Sequence, residues 1–414
     1  HYSLADAFTV CDQNFSSAMT CTNPNRLFFW TGTCRDSPEK DATVYIRNLE
    51  GEWRWAALPF DTFPERLQEN GISWKYYQND IFCGGGFQGE ERSWLSNFGC
   101  NPLEWFKSYN VRYSDRHLHG LEALVKSLPG AIDVLSEQLR GASGAEKQKL
   151  TREIAKKREV LQAAREELHQ YTRENFDRLS ETEKQLYERA FTTNADDPDY
   201  HRLASWSYDD HGTARTLSLP KGDIFYQFRK DVETGNLPTV SWLASPENFS
   251  DHPSVPWYGA YYLSEVLDIL TQNPEVWKKT IFIVTYDEND GYFDHVPPYA
   301  APDPQRPETG GCSAGISTEE EYIRLEDELK KGLSPKEARG GPIGLGYRVP
   351  MIIASPWSRG GKVCSEIFDH TSTLQFLEEF CNRKFGKDIR ERNISDWRRT
   401  VTGNLTSAFS KFDG

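Results

Sequence analysis

Residues 279–290, KTIFIVTYDEND, decide the fold of this 414-residue chain. Their apolar part, at 281–284, is continuous rather than alternating, which predicts a strand buried on both faces of a sheet. Such a strand cannot hold two adjacent carboxylates in its middle, so Asp287 and Glu288 must lie beyond its end. Ligands of open α/β sheets bind at the carboxyl ends of the strands. This stretch therefore predicts a sheet with a polar site at its edge.

The neighbouring sequence alternates between strand and helix patterns from residue 222 onward. It predicts strands at 237–245 (LPTVSWLAS) and 349–357 (VPMIIASPW), and helices at 261–270 (YYLSEVLDIL) and 371–385 (TSTLQFLEEFCNRKF). Apolar strands that alternate with helices indicate an α/β fold with a mostly parallel central sheet flanked by helices. Nearer the amino terminus, residues 43–58 predict a β-hairpin with its turn at 49–52, and residues 72–78 predict a further strand.

Residues 119–200 differ in kind, because much of this stretch is rich in Glu, Lys, Arg, Leu and Ala. Apolar side chains recur there at helical spacing, at Leu150, Ile154, Leu161 and Leu168. Glycines at 141 and 144 would end one helix and start another. We predict an antiparallel helical hairpin inserted into the main domain. A coiled coil that binds a partner protein is the alternative, and a hairpin packed on itself is favoured over it.

The composition excludes several classes of function. The net charge of −14 does not favour DNA or RNA as a partner, nor attraction to an anionic membrane by global charge. With a mean hydropathy of −0.68, the sequence shows no apolar run near the roughly 18 residues of a membrane span. The eight cysteines contain no CxxC pair, and their even number is consistent with disulfides in an exported protein or with buried thiols. Because the sequence starts at His1 without Met, we expect a processed or cut start.

An acidic cluster follows the deciding strand. Asp287, Glu288, Asp290 and Asp294 fall within eight residues, with His295 beside them. Carboxylates this close repel one another unless a cation or hydrogen-bond donors neutralise them, so the cluster predicts a divalent metal ion. The alternative is a solvated acidic turn.

Two further polar clusters follow predicted strands. In the first, at 245–253, His252 could donate to a phosphate oxygen or act as an acid, or it could be a structural loop histidine. In the second, at 368–372, Asp369 or Thr371 could simply cap the helix that follows.

Residues 21–26, CTNPNR, form a fourth candidate. Thr22 and Pro24 suit the start of a helix, which is the default interpretation. The functional alternative makes Thr22 a nucleophile activated by a metal ion, because a free hydroxyl is a weak nucleophile. Asn25 and Arg26 would then donate to phosphate oxygens. Spacing alone does not decide between them.

Taken together, these segments resemble the bacterial phosphoesterase family that contains phosphocholine-preferring phospholipase C and a class of acid phosphatases. The resemblance covers nearly the whole chain except 119–200. It is carried by HYSLADAFTVCDQNF (1–15), TNPNRLFFWTGT (22–33), FPERLQENGISWKYYQN (63–79), PENFSDHPS (246–254), NPEVWKKTIFIVTYDENDGYFDHVPP (273–298), GYRVPMIIASPWSRGG (346–361), FDHTSTLQFLEEF (368–380) and NISDWRRTVTGNLTSAF (393–409).

The resemblance implies an alkaline phosphatase-like fold and one catalytic domain over residues 1–414. It implies that Thr22 attacks phosphorus to form a phosphothreonine, which water then hydrolyses. Asp287 and Glu288 would hold a divalent metal ion of unknown identity. The groups expected to stabilise the phosphoryl oxygens or protonate the leaving alkoxide are Asn25, His252, His295 and His370.

The substrate that this resemblance implies is a phospholipid or phosphocholine ester, cleaved by a secreted or periplasmic enzyme in transient contact with a membrane surface. The alternatives are a broad-specificity acid phosphatase and a catalytically incomplete fragment that only binds. The sequence departs from the family twice. A Glu-Asn motif like ENRSFDH on the first strand is expected before Thr22 and does not occur, so the printed chain should lack that strand and half of the metal site. Thr20-Cys21 also replaces the usual Gly-Pro.

Overall fold

The computed structural model describes residues 1–37, 42–48, 56–83, 87, 89–252 and 255–411. The helices in this part of the chain are α1 Tyr2–Ala7, α2 Thr22–Thr31, α3 Phe63–Glu69, α4 Glu90–Leu95, α5 Asp115–Gly141, α6 Gly144–Gln170, α7 Arg173–Asp177, α8 Glu181–Ala190, α9 Tyr226–Glu233, α10 Trp257–Thr271, α11 Pro274–Trp277, α12 Leu325–Lys330, α13 His370–Phe385 and α14 Asp396–Val401. The strands are β1 Thr9–Cys11, β2 Trp74–Tyr77, β3 Leu203–Asp210, β4 Thr213–Pro220, β5 Val240–Leu243, β6 Phe282–Thr285, β7 Tyr322–Ile323, β8 Gly341–Pro342, β9 Met351–Ala354 and β10 Val363–Cys364.

The predicted strands and helices after residue 222 are confirmed. β5, β6 and β9 lie within the three apolar stretches, and α10 and α13 cover the two predicted helices. The fold is mixed α/β, as predicted. None of the described helices is both long and apolar enough to span a membrane.

The largest described sheet has the strand order β10-β1-β9-β6. β1 is parallel to β10, but β9 runs antiparallel to both β1 and β6. The prediction of a mostly parallel central sheet is therefore not met by the described strands. Its physical basis was too weak, because an unbroken apolar run shows that a strand is buried on both faces but carries no information about its direction. β9 is fully buried and antiparallel.

The other described sheets each have two strands. β2 and β5 pair in parallel, with Trp74 opposite Val240. β3 and β4 form a hairpin that the sequence interpretation missed, closed by His211 and Gly212, which both have positive φ as a tight hairpin turn requires. The hairpin predicted at 43–58 is not found at 42–48, where Val44 makes an isolated bridge to Arg35. Its predicted turn at 49–52 lies outside the described residues.

Residues 115–170 form two long helices that pack against each other, α5 and α6. His117 near the start of α5 contacts Glu167 near the end of α6 at 2.7 Å, so the two helices run antiparallel. Leu150 and Ile154 of α6 are buried. Of the predicted apolar stripe, Leu150 and Ile154 are thus covered within the chain, and Leu161 and Leu168 are half-buried.

Alternate residues of β5 pack into two different apolar clusters. Trp242 lies against Trp30 of α2, with ring centroids 4.7 Å apart. Leu243 packs with the cluster that contains Tyr262 and Val266 of α10. Helices therefore cover both faces of this strand, and the polar residues of the region are left at its ends.

Candidate functional site

Thr22 is the first residue of α2, so the helix-start interpretation of this segment is confirmed. Asn25, one turn along, is fully buried. Its side chain accepts from the Ala18 N–H at 2.8 Å and donates to the carbonyls of Ala18, Thr20 and Cys21 at 3.1 to 3.2 Å. Asn25 therefore holds the loop that leads into Thr22. With its amide saturated by backbone, these contacts do not support the predicted role as a donor to phosphate.

Asp287 and Glu288 lie just beyond the end of β6, as predicted. The Thr22 hydroxyl donates to Glu288 Oε1 at 2.7 Å, which joins residues 266 positions apart. Burial raises the pKa of Glu288, and the hydrogen bond from Thr22 partly opposes that rise. A desolvated carboxylate next to a hydroxyl is a better proton acceptor than one in water. The pair therefore has the geometry of a nucleophile and its base.

Arg26 neutralises the neighbouring carboxylate. Its Nε donates to Asp287 Oδ2 at 2.8 Å, and a terminal nitrogen donates to the Cys100 carbonyl at 2.7 Å. The Tyr76 hydroxyl of β2 donates to the same carbonyl at 2.9 Å. Burial lowers the pKa of Arg26, but the adjacent Asp287 more than compensates and the pKa is raised. The sequence predicted that Arg26 would donate to phosphate oxygens of a substrate, and it did not predict this ion pair.

His370 approaches the same carboxylates from α13. Its Nε2 donates to the Asp287 carbonyl at 2.7 Å, because a carbonyl can only accept. Burial lowers the pKa of His370, which favours the neutral ring. Its Nδ1 is buried without a hydrogen-bond partner among the described residues. The preceding Asp369 caps α13 by accepting from Thr371 N–H, so the cap interpretation is confirmed.

The two other predicted histidines differ in position. His252 is half-exposed, and its charge lowers the pKa of Glu288, which places it near the Thr22–Glu288 pair. His295 is 85% exposed and lies 3.6 Å from Asp294, whose carboxylate is held by Arg348. Among the described residues, no hydrogen bond or ion pair joins His295 to Thr22 or Glu288. The predicted acidic cluster is therefore divided between two places.

Buried charges behind the site form the Arg398 network: Arg398, Asp369, Glu321 and Ser17. Arg398 donates to Asp369 at 2.6 Å and to Glu321 at 2.8 Å, and Ser17 donates to Asp369 at 2.9 Å. The Arg398 guanidinium also lies over the Phe28 ring, 3.9 Å from its centroid. The sequence analysis missed this network, because arginines near an amphipathic helix are usually solvated. The only signal was the polar NISDWRR run.

The sequence predicted that Asp287 and Glu288 hold a divalent metal ion. Nowhere in the described residues do three His, Cys, Asp or Glu side chains gather in a way that could hold an ion. Asp287 is already neutralised by Arg26, and Glu288 is bound to Thr22. The described residues thus do not form a metal site by themselves. All eight cysteines are free thiols.

The chain is similar in sequence to known phosphoesterases. The sequence model of the Phosphoesterase family matches residues 1–134 and 154–382. The chain is 34% identical to a non-hemolytic phospholipase C of Burkholderia pseudomallei, covering 99% of this chain and 43% of that protein. It is 33% identical to a hemolytic phospholipase C of Pseudomonas aeruginosa, over 99% and 41%. It is 28% identical to phospholipase C B of Mycobacterium tuberculosis, over 99% and 54%. The chain spans about half the length of these relatives.

Proposed function

The chain belongs to the Phosphoesterase family, and on that premise we propose that it hydrolyses phosphodiesters in the manner of a phospholipase C. The substrate is a phospholipid, and the product is a phosphorylated head group such as phosphocholine. The hydrogen bond of 2.7 Å between the Thr22 hydroxyl and Glu288 carries the proposal. The names of the curated relatives support a diester substrate.

Two chemical steps follow from this pair. The Thr22 oxygen forms a bond to phosphorus as its proton moves to Glu288, and the bond from phosphorus to the diacylglycerol oxygen breaks. His252, protonated, supplies a proton to the leaving alkoxide. Water then attacks the phosphothreonine ester, which still carries the head group, and gives its proton to the now neutral His252. The bond from phosphorus to the Thr22 oxygen breaks, phosphocholine leaves, and the Thr22 oxygen takes its proton back from Glu288.

The amino end of α2 and Arg26 supply positive potential beside Thr22. The first N–H groups of a helix and its dipole favour an anion at this end. Arg26 lies in the next turn and is about one quarter exposed. Asn25 acts as a positioning residue through the loop before Thr22. A role for His295 in stabilising the phosphoryl oxygens or protonating the leaving alkoxide stays a prediction, because its position does not support a role in either step.

Several finer expectations belong to the same proposal. The fold is alkaline phosphatase-like, and residues 119–200 are an insertion into one catalytic domain. The sequence model of the family does not match residues 135–153, which lie at the tip of the helical hairpin. The enzyme works outside the cytoplasm, secreted or periplasmic, and touches a membrane surface transiently. A divalent metal ion would take Asp287 and Glu288 as two of its ligands and would polarise the phosphoryl oxygens, with further ligands from outside the described residues.

The alternative within the family is a phosphomonoesterase. Turnover of p-nitrophenyl phosphocholine should exceed that of p-nitrophenyl phosphate, and the reverse order would reject the diesterase. Thr22→Ala should lower kcat/KM for the diester at least about a thousandfold, because the nucleophile is gone. Thr22→Ser, the matched control, keeps a hydroxyl and should retain activity. Undiminished turnover in Thr22→Ala would remove Thr22 as nucleophile, and no turnover in any form would favour a chain that only binds.

A further inference from the structure

The helical hairpin carries a local positive charge. The first half of α6, residues 144–158, is here called the basic segment, because it holds six Lys and Arg but only two Glu, in a chain whose net charge is −14. Five of these cations are exposed and Lys157 is half-buried. The six are Lys147, Lys149, Arg152, Lys156, Lys157 and Arg158. The basic segment therefore has the opposite sign of charge from the chain as a whole.

These cations have no acidic partner within the described residues. None of the six forms an ion pair there, so no carboxylate oxygen of that part of the chain lies within 4.0 Å of their nitrogens. Exposed arginines close by in the sequence are paired, Arg140 of α5 with Glu137 and Arg173 of α7 with Asp177. Unpaired charges of one sign repel one another, and a partner of opposite charge would relieve that repulsion.

Three of the cations form a row along α6. Lys149, Arg152 and Lys156 are separated by three and four residues, so they lie on one face of the helix. All three are exposed, whereas Leu150 and Ile154 are buried on another side of α6. Val160, one turn beyond Lys156, is 38% exposed. The row therefore faces solvent and ends in an apolar side chain, a combination typical of helices that lie on a membrane surface.

The length of the hairpin separates this row from the acidic body of the protein. α6 has 27 residues, and Glu167 near its end contacts His117 at the base of the hairpin. At a rise of 1.5 Å per residue, the middle of the basic segment lies about 25 Å from Glu167. Exposed charges are screened beyond about 8–10 Å in physiological salt. The negative charge of the body therefore does not cancel the positive charge of the basic segment.

The hairpin starts at the end of the sheet that holds the site. β2 and β5 are parallel, so their carboxyl ends lie at the same edge. The chain after β5 carries His252, the proton donor of the proposed reaction. The chain after β2 carries Cys83, whose sulfur lies 3.7 Å from Nδ1 of His117 in the first turn of α5. The base of the hairpin and His252 therefore follow the same edge of this sheet.

Much of the basic segment lies outside the pattern that this chain shares with its family. The sequence model of the family does not match residues 135–153, which include Lys147, Lys149 and Arg152. The residues proposed for hydrolysis all lie in matched parts of the chain. The unpaired cations thus stand apart from the proposed chemistry, and a role in binding accounts for their exposure and their spacing.

We propose that the basic segment binds the surface of a membrane that contains anionic phospholipids, with Lys149, Arg152 and Lys156 against the lipid phosphates. The choice of a lipid surface rests on the proposed function, because a phospholipid hydrolase meets its substrate there. A long nucleic acid would extend past this row and be repelled by the acidic body. Each Lys or Arg close to an anionic membrane strengthens binding about fivefold.

Sedimentation with lipid vesicles tests the proposal on the 414-residue chain. The probe is phosphatidylcholine vesicles in which about one third of the lipid is phosphatidylglycerol, and Thr22→Ala is used so that the lipid is not consumed. Binding should be at least about tenfold tighter than to pure phosphatidylcholine, and about 0.5 M NaCl should abolish the difference. Equal binding to the two kinds of vesicle would overturn the proposal.

The row itself is tested by replacing its three cations together, as Lys149→Gln, Arg152→Gln and Lys156→Gln. Glutamine keeps the helix, and binding to the anionic vesicles should fall at least about tenfold. The matched control neutralises three exposed lysines that are apart in the sequence, Lys107→Gln, Lys336→Gln and Lys387→Gln. It changes the net charge equally and should bind like the parent. Equal losses in both triple variants, or binding of a short DNA duplex as tight as that of the vesicles, would overturn the proposal.

A soluble substrate separates this proposal from the proposed hydrolysis. With Thr22 intact, the variant of the row should hydrolyse p-nitrophenyl phosphocholine like the parent, because the row lies outside the site. Hydrolysis without any preference for anionic vesicles would overturn the membrane surface and leave the diesterase standing. Preference for anionic vesicles in a chain that hydrolyses nothing would support the surface and reject the diesterase.

Discussion

Two groups of charges lie close to the helices α2 and α13 and differ in one respect, their access to solvent. In the Arg398 network, the side chains of Arg398 and Asp369 are both 0% exposed. In the site around Thr22, the side chains of Arg26 and Asp287 are 24% and 26% exposed. Both contain an arginine between acceptors. The closed group is buried in the fold, and the open group can be reached by solvent.

The networks also meet. The backbone N–H of His370 donates to Ser17 Oγ at 3.1 Å, and the ring of the same residue donates to the Asp287 carbonyl. The Arg398 network thus fixes the start of α13, and α13 fixes the chain just before Glu288. The buried Arg398 network therefore helps to fix the positions of the partly exposed side chains around Thr22.

Breaking the closed network should have the largest effect. Arg398→Met leaves Asp369 and Glu321 buried without their cation, and we expect a loss of about 3–5 kcal/mol in the free energy of unfolding. Urea denaturation followed by circular dichroism measures it. Arg383→Met, at an exposed arginine paired with Glu379, is the control and should cost less than about 1 kcal/mol. Equal losses in the two variants would contradict the comparison.

The open site should lose activity without losing stability. Glu288→Gln keeps the shape of the side chain but removes the base, so kcat/KM for p-nitrophenyl phosphocholine should fall about a hundredfold. Its unfolding midpoint should stay near that of the parent, because the carboxylate is half-desolvated and gains little from folding. Glu275→Gln, at an exposed carboxylate, should change neither quantity. A stability loss as large as that of Arg398→Met would make Glu288 a structural residue.

The pH profile sharpens the same distinction. Burial raises the pKa of Glu288, and its charged form is the one that accepts the Thr22 proton. Activity should therefore fall as pH drops through that raised pKa, by about tenfold per unit below it, with a midpoint above the ordinary glutamate value near 4.3. This acid limb should persist in Thr22→Ser and vanish from the residual activity of Glu288→Gln. An unchanged limb in Glu288→Gln would assign it to another group.

The smallest effect is expected at the link between the two groups. Ser17→Ala removes the hydroxyl that donates to Asp369 and accepts from the His370 N–H. We expect a loss of about 1–2 kcal/mol in the free energy of unfolding, together with a fall in kcat that is smaller than for Glu288→Gln. Ser334→Ala, at an exposed serine, is the control. Loss of stability with kcat unchanged would show that the networks are independent.

The sequence predicted the parts of the site that depend on periodicity and on adjacency. The strand before Asp287 and Glu288 and the helix that starts at Thr22 are local patterns, and both are confirmed. The antiparallel direction of β9 is set by distant connections and leaves no mark on an apolar run. Arg398 looked like a surface residue because burial depends on what packs over it. The role of Asn25 depends on the folded path of the loop at Ala18–Cys21, which wraps around its amide and follows no periodic pattern.

The carbonyl of Cys100 receives both Arg26 and the Tyr76 hydroxyl. Tyr76 belongs to the sheet of β2 and β5, while Arg26 grips the chain that leaves β6 in the other sheet. One carbonyl oxygen therefore accepts hydrogen bonds from residues that contact two different sheets. Arg26 thereby connects the chain after β6 to the carbonyl that Tyr76 of β2 also contacts, so a shift of one sheet against the other would strain its hydrogen bond to Asp287.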